Sequence, residues 1–219
     1  TLKAGTPLEL AQNAAAAQGF ELGLDLGARG SCQVGGNLST NAGGYRVIRH
    51  GMARAHVLGL EAVLMDGTIL SDMRKMMKNN TGLDWKQLLI GTEGTLGIIT
   101  RAVLKLVPAP LSRQTALCAT DDYAKVLELL KAARRGLASV TAFECLWKSF
   151  HEFAAFHAGL NFFNGVPPFI LIVEQSGVDP AQDGDQGAGG QGLGEIHNRP
   201  LILARASSPA RTAGSPSWR

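Results

Sequence analysis

Ser31-Cys-Gln-Val-Gly-Gly-Asn-Leu-Ser-Thr-Asn-Ala-Gly-Gly44 decides the reading of this chain. It holds two glycine pairs, Gly35-Gly36 and Gly43-Gly44, with Asn37, Ser39, Thr40 and Asn41 between them. Glycine admits positive φ and close approach because it has no Cβ. Successive backbone N–H groups in such a stretch can turn inward around an anion. The short hydroxyl and amide side chains add donors without bulk. Directly downstream, Tyr45-Arg-Val-Ile-Arg-His-Gly-Met-Ala-Arg-Ala-His56 carries Arg46, Arg49 and Arg54 with no acid among them. Guanidinium groups beside a donor-rich loop suit a phosphate or pyrophosphate. On residue types alone two readings stand open, a phosphate-binding loop and a structural loop rich in turn formers.

Upstream of this stretch, Thr6-Pro-Leu-Glu9 reads as a capping box, with Thr6 at the N-cap and Pro7 at the first helical position. The helix is expected to run to Gln18 and stop at Gly19. Leu22, Leu24 and Leu26 alternate with Gly23, Asp25 and Gly27, the pattern of a short extended segment. Downstream, Val57–Met65 is an apolar strand, Asp66-Gly67 a two-residue hairpin turn and Thr68-Ile-Leu70 the return. Residues 71–82 form a polar loop holding Met73, Met76 and Met77, and Asp84 is placed to cap a short helix through Leu89. A second glycine stretch, Gly91-Thr-Glu-Gly-Thr-Leu-Gly97, enters the strand Ile98–Val107. Strict alternation puts Ile99, Arg101, Val103 and Lys105 on one face of that strand and makes the opposite face the buried one. A glycine-rich entry to a core strand lets backbone approach a ligand or simply makes a turn.

Pro108-Ala-Pro110 ends the ladder and marks a domain boundary. Beyond it a strand near Gln114–Ala119 precedes a helix capped by Asp121 or Asp122. Tyr123, Val126, Leu127 and Leu130 form its apolar face, and Gly136 stops it. A strand over Val140–Leu146, a helix bearing Phe150, Phe153, Ala154 and His157, and a strand over Phe169–Val173 complete the beginning of an α+β domain. His157 on that apolar face reads as a satisfied core histidine. Residues 177–219 hold eight Gly and four Pro and few large apolar side chains. They are expected to be disordered, because so little apolar surface cannot offset chain entropy. This tail reads unlike the rest of the chain, as an aberrant reading frame would.

Composition narrows the classes. At 219 residues and 45% hydrophobic the chain can bury a core, and its net charge of +3 is mild. The basic residues form no run and interleave with no aromatic series, so nucleic acid is not an expected partner. No apolar run approaches the length of a membrane span, and no signal peptide is visible. Three cysteines, Cys32, Cys118 and Cys145, lie far apart with no Cys-x-x-Cys. Such spacing argues against a zinc site or a disulfide framework and for free thiols in a reducing compartment. The five histidines show no metal-ligand spacing, and no metal is expected. The chain does not begin with Met and reads as a fragment.

The ordered motifs carry a resemblance. Asp25-Leu-Gly-Ala-Arg-Gly-Ser-Cys-Gln-Val-Gly-Gly-Asn-Leu-Ser-Thr-Asn-Ala-Gly-Gly44 resembles a flavin-binding signature of the vanillyl-alcohol-oxidase-like, PCMH-type FAD enzymes. The branch is that of the D-2-hydroxyacid dehydrogenases, acting on D-lactate, D-2-hydroxyglutarate or glycolate. The likeness continues through Val57-Leu-Gly-Leu-Glu61, Asp66-Gly67, Asn80-Thr-Gly82 and Gly91-Thr-Glu-Gly-Thr-Leu-Gly-Ile-Ile-Thr100. It implies an α+β chain divided in three. Residues 1–110 would be the second, antiparallel-sheet half of a PCMH-type FAD-binding domain, 111–176 the start of an α+β substrate or cap domain, and 177–219 a tail. It implies FAD as cofactor, held by Gly35, Gly36, Asn37, Thr40, Asn41, Gly43, Gly44, Gly51, Val57, Glu93, Gly97 and Ile98. It implies oxidation of a small 2-hydroxyacid to the 2-oxoacid by hydride transfer to flavin. The electron acceptor is left open, and so is the compartment, cytoplasmic in a bacterium or mitochondrial in a eukaryote. The family's earlier half-domain and its substrate-holding region have no counterpart here, so no catalytic residue is assigned. The alternatives are a non-catalytic remnant and a phosphate-ligand binding module of the same fold.

Overall fold

A computed structural model describes residues 1–137, 139–159, 163, 165–177 and 204–206. Leu2–Lys3 (β1) leads into helix Leu8–Ala16 (α1). The expected capping box does not form. Pro7 is the N-cap residue and no side chain caps the helix. Instead Leu8 N–H donates to Cys32 O at 2.9 Å and Glu9 N–H to Arg29 O at 3.0 Å. The orphan donors of the first turn are thus met by carbonyls of a distant loop. Gly19, at φ +76°, ends the turn after α1.

Phe20–Glu21 (β2) is followed by an irregular segment that buries Leu22 and Leu24. The expected glycine loop is in part a helix, Val34–Ser39 (α2). Val47–His50 (α3) and a 3₁₀ turn, Ala53–His56, lead into Val57–Val63 (β3). The Asp66-Gly67 turn forms, with Gly67 at φ +86°, and Ile69–Asp72 (β4) returns. Lys86–Leu89 (α4) is short, and Asp84 binds Lys86 Nζ at 2.7 Å without capping it by its side chain. Ile98–Leu104 (β5) completes an antiparallel sheet in the order β1-β5-β3-β4. Val107–Pro108 (β6) leaves that sheet to pair with β2.

The alternation expected along β5 is broken by a bulge at Thr100, and Ala102, Val103 and Leu104 are buried in succession. Glu61 faces Arg101 and Ala62 faces Ile99, so Thr100 is an extra residue on β5. This β-bulge inverts the parity of everything beyond it. Ile99 therefore joins Ala102, Val103 and Leu104 in the buried set while Ile98 and Arg101 face out. Thr100 Oγ1 fixes the bulge by donating to the Glu61 carboxylate at 2.9 Å. Leu8, Leu24, Val34, Leu38, Leu60 and Ile99 belong to the core of this part of the chain.

The chain divides into two compact units, Thr1–Ala109 and Pro110–Arg219. The second is also antiparallel, with Ser112–Thr120 (β7), Val140–Trp147 (β8), Phe169–Gly177 (β9) and Ala204–Ala206 (β10) in the order β10-β7-β9-β8. Helix Tyr123–Gly136 (α5) is capped by Asp122, whose carboxylate accepts from Ala124 N–H at 2.8 Å. Its buried stripe is Val126, Leu129 and Ala133. Tyr123 and Leu127, expected inside, are exposed, and the Tyr123 ring packs on Trp147 and Phe169. Helix Lys148–Ala158 (α6) leaves Phe150, Phe153 and Phe156 exposed. His157 is exposed too, which corrects the core assignment. The buried histidine is His151, whose Nε2 lies 2.7 Å from Pro167 O. Of the tail expected to be disordered, Gly177 closes β9 and Ala204–Ala206 pairs with β7. The rest of that expectation lies outside the described residues.

The two helix starts make a contrast that denaturation can read. Asp122→Ala should cost about 1 kcal/mol, because it removes a side-chain cap. Thr6→Ala should change stability by less than about 0.5 kcal/mol, because its carbonyl, which accepts from Val34 N–H, is unchanged. Urea titrations of the two variants check both values.

Candidate functional site

A helix reading Val-Gly-Gly-Asn-Leu-Ser has poor intrinsic propensity, since each glycine weakens it by roughly 1 kcal/mol. Burial and non-local hydrogen bonds hold α2 instead. Val34 and Leu38, one turn apart, are fully buried, and Asn37 beside them is 6% exposed. At its start Val34 N–H donates to Thr6 O and Gly35 N–H to Ala4 O at 2.7 Å. At its end the second glycine stretch closes over it. Gly91 N–H donates to Leu38 O at 3.1 Å and Glu93 N–H to Ser39 O at 2.9 Å. Asn41 and Glu93 take positive φ, 47° and 54°, to make this junction. The two stretches singled out in the sequence therefore meet.

The glycines divide by what surrounds them. A Cβ on Gly35 would lie 2.5 Å from the Ala4 side chain, one on Gly43 2.8 Å from Met52 Sδ, and one on Gly44 1.8 Å from Asp25 O. Gly97 would meet Val63 O at 2.9 Å. These are packing requirements of the protein itself. Gly36 differs: it is exposed, and a Cβ there would meet nothing. The amides of Gly36, Gly43 and Gly44 donate to no described group. Those of Gly43 and Gly44 are half-buried, where an unmet donor is costly. Open donors on glycine are what an anionic ligand requires, and in this respect the residues fit a phosphate.

The side chains between and after the glycines are turned inward. Asn37 donates to Cys32 Sγ at 3.4 Å, Thr40 Oγ1 to Gly36 O at 3.0 Å, and Asn41 Oδ1 accepts from Arg54 N–H at 2.9 Å. The arginines expected to face a phosphate are committed as well. Arg54 donates to Gln87 O at 2.6 Å and to Ile90 O. Arg46, 8% exposed, binds Glu21 at 2.8 Å and Asp25 at 3.3 Å. Arg49 alone of the three is exposed. Asp25 is 3% exposed and also takes both oxygens' worth of Arg29 at 2.9 Å and the Tyr45 hydroxyl. Burial, with the Asp25 hydrogen bond, raises the Tyr45 pKa. The pairing of Asp25 with Tyr45 and of Glu21 and Asp25 with Arg46 is not legible in the sequence, because these partners lie twenty residues or more apart.

Gly51, at φ +79°, ends α3. Val57 and Ile98 stand at opposite ends of the sheet, since Val57 pairs with Leu104 and Val63 with Ile98. The strand between them is about 20 Å long at roughly 3.3 Å per residue. Glu93 and Ile98 are exposed, Gly97 buried. His56 is 5% exposed and its Nε2 has no hydrogen-bond partner. Burial, then the neighbouring His50, pushes its pKa down to about 4. In the second unit a cavity of about 440 Å³ opens beside α6, lined by apolar residues with His151 and Glu152. Among the described residues no group of three or more His, Cys, Asp or Glu could hold a metal, and no helix is long and apolar enough to cross a membrane.

Residues 1–72 match the FAD binding domain family. The chain is 40% identical over 185 residues to the mitochondrial D-2-hydroxyglutarate dehydrogenase of Bos taurus, covering 84% of this chain and 34% of that protein. It is 38% identical over 183 residues to the D-2-hydroxyglutarate dehydrogenase of Xanthomonas citri pv. viticola, covering 84% of this chain and 39% of that protein. The chain is thus similar to FAD-binding enzymes of the D-2-hydroxyacid dehydrogenase kind. It spans about a third of the length of these relatives. Its fold is also that of alkyldihydroxyacetonephosphate synthase, with a TM-score of 0.72 at 19% identity over 96% of this chain and 42% of that one. The matched residues 1–72 include both glycine pairs, the Asp25 network, Gly51 and Val57, and exclude Glu93, Gly97 and Ile98.

Two outcomes follow from this geometry. Gly36→Ala should stabilise the chain by about 0.5–1 kcal/mol, as a helical glycine in open space does when replaced. Gly44→Ala should destabilise it by about 1–3 kcal/mol or more through the clash with Asp25 O. Urea denaturation distinguishes them. For His56, the unfolded chain takes up a proton near the ordinary histidine pKa that the folded chain refuses until about pH 4. Stability contributed by neutral His56 is therefore full above about pH 6.5 and falls as pH drops toward 4. In His56→Gln this acid-sensitive part should vanish from the plot of thermal midpoint against pH.

Proposed function

We propose that this chain contributes the FAD-holding part of an oxidoreductase that oxidises a D-2-hydroxyacid to its 2-oxoacid. The observation that carries the reading is the set of glycine amides at 36, 43 and 44 with no acceptor in the protein, inside the segment that matches an FAD binding domain. These amides would donate to the cofactor pyrophosphate, with Thr40 beside them. Gly35, Asn37, Asn41 and Gly97 shape the site through their protein contacts, and Gly51, Val57, Glu93 and Ile98 extend it. A bound flavin supplies the acceptor for the substrate hydride. The chain's own residues hold the donors in place, and no described side chain is assigned as the base that takes the hydroxyl proton. The substrate class follows the names of the relatives, D-2-hydroxyglutarate first. Cys32, Cys118 and Cys145 are free thiols, which supports a reducing compartment.

A second reading, a phosphate-binding module without flavin, draws on the same open amides, since amide donors meet a diphosphate whether or not a flavin is attached to it. Purified chain separates the two. The first reading expects uptake of added FAD, seen as a yellow protein whose flavin spectrum bleaches with D-2-hydroxyglutarate or D-lactate. Uptake of ADP or pyrophosphate without FAD would support the second. Gly36→Val should abolish FAD uptake while the fold, read by circular dichroism, persists, since its side chain enters open space. Equal FAD uptake by this variant would remove Gly36 from the site.

A further inference from the structure

We infer that Asp25 is a positioning residue that presets the Gly43 and Gly44 amides for the cofactor diphosphate, a role that rests on the FAD reading above. Residues 42–44 have no regular structure. A segment with two glycines loses much conformational entropy when it is ordered. Unless ordered beforehand, it would pay that cost on binding, at the expense of affinity. One side is already fixed: Ala42 N–H donates to Asn37 O at 2.7 Å and Ala42 O accepts from Ala53 N–H at 2.8 Å.

The other side is fixed by Asp25 at three successive residues. Its carbonyl oxygen stands where a Cβ on Gly44 would be, only 1.8 Å away, so the two backbones are in close contact. Its carboxylate accepts from the Tyr45 hydroxyl. The same carboxylate faces Arg46 Nη1 at 3.3 Å. Arg29, from Asp25's own segment, holds both carboxylate oxygens at 2.9 Å and leaves them little freedom to turn. Leu24 anchors the segment in the core beside it, at 2% exposure. Asp25 therefore acts on the amides through Gly44, Tyr45 and Arg46. Replacing Asp25 by asparagine keeps the shape, and Arg46 keeps Glu21 at 2.8 Å, so no buried cation is orphaned.

The test compares the 219-residue chain with Asp25→Asn and with Leu60→Ala, a core change in β3 outside the Asp25 segment. Amide hydrogen exchange by mass spectrometry is read over 42–47 and over β3, and FAD affinity by quenching of flavin fluorescence well below the melting range. Asp25→Asn should raise exchange over 42–47, at the hydrogen-bonded amides of Ala42 and Val47, while β3 stays protected. It should weaken FAD binding about tenfold, the scale of one lost ordering contact. Leu60→Ala should lower the thermal midpoint at least as far with FAD affinity within about twofold, which a purely structural role for Asp25 would not allow. Unchanged exchange in Asp25→Asn, or raised exchange with unchanged affinity, overturns the inference. Failure of the unaltered chain to take up FAD sinks the FAD reading instead, and the clamp is then judged on exchange alone. If Asp25→Asn does not fold, Tyr45→Phe removes one donor and keeps the ion pairs. It should raise exchange over 42–47 to a smaller extent, and no change there overturns the inference.

Discussion

Everything in the first unit depends on keeping helical a segment that should not be a helix. Val34–Ser39 contains two adjacent glycines, and on propensity it belongs in a loop. Its start is tied to Ala4 and Thr6, next to β1, and its end to Gly91 and Glu93, ahead of β5. Both β1 and β5 belong to one sheet, where they are paired. The helix is thus a consequence of the sheet. The close approach of Gly35 to Ala4, 2.5 Å for an added Cβ, shows why glycine is needed where propensity opposes it. A residue with a side chain would improve the helix and prevent its docking. Local preference and tertiary contact conflict here, and contact prevails.

This also explains the double use of the glycine motif. Paired glycines were read as room for a ligand, but at 35, 43, 44 and 97 the room is taken by Ala4, Met52, Asp25 and Val63. Of the four paired glycines, Gly36 alone has open space. Residue type cannot distinguish a glycine that admits a ligand from one that admits its own chain, because both need the missing Cβ. What distinguishes them is the fate of the amide and the nearest atom, and both are properties of the fold.

The parts legible in the sequence were those set by short-range rules. The Asp66-Gly67 turn, the Asp122 cap and the strands about Val57 and Ile98 depend on neighbours within a few residues. The failures came from partners far away. Thr6 looks like a cap, but carbonyls at 29 and 32 reach the helix first. Ile99 looks outward-facing until Thr100 inserts a bulge bonded to Glu61. His157 looks like core, yet α6 turns it to solvent and buries His151 on Pro167. The links from Asp25 to Tyr45 and Arg46 are invisible for the same reason, since those partners lie twenty residues on, whereas Arg29 is four residues away.

That network changes how the anion recognition proposed for this site would work. An arginine-lined site binds phosphate through net charge, and its strength falls with salt. Here the guanidinium of Arg46 is neutralised by two carboxylates, the buried Asp25 and the half-buried Glu21, and Arg54 is spent on backbone carbonyls. What remains to face an anion is a set of amide dipoles, uncharged but fixed in direction. Fixed dipoles in a partly buried site need no reorganisation when the ligand arrives, and they lose little to screening. Their strength depends on staying aimed. On the proposed FAD reading, these acids and arginines would serve recognition indirectly, adding no charge to the ligand and holding in place the amides that would meet it. On this view the ion pairs at Glu21, Asp25, Arg29 and Arg46 and the open amides at 43 and 44 are one device, since removing the first would leave the second free to rotate away.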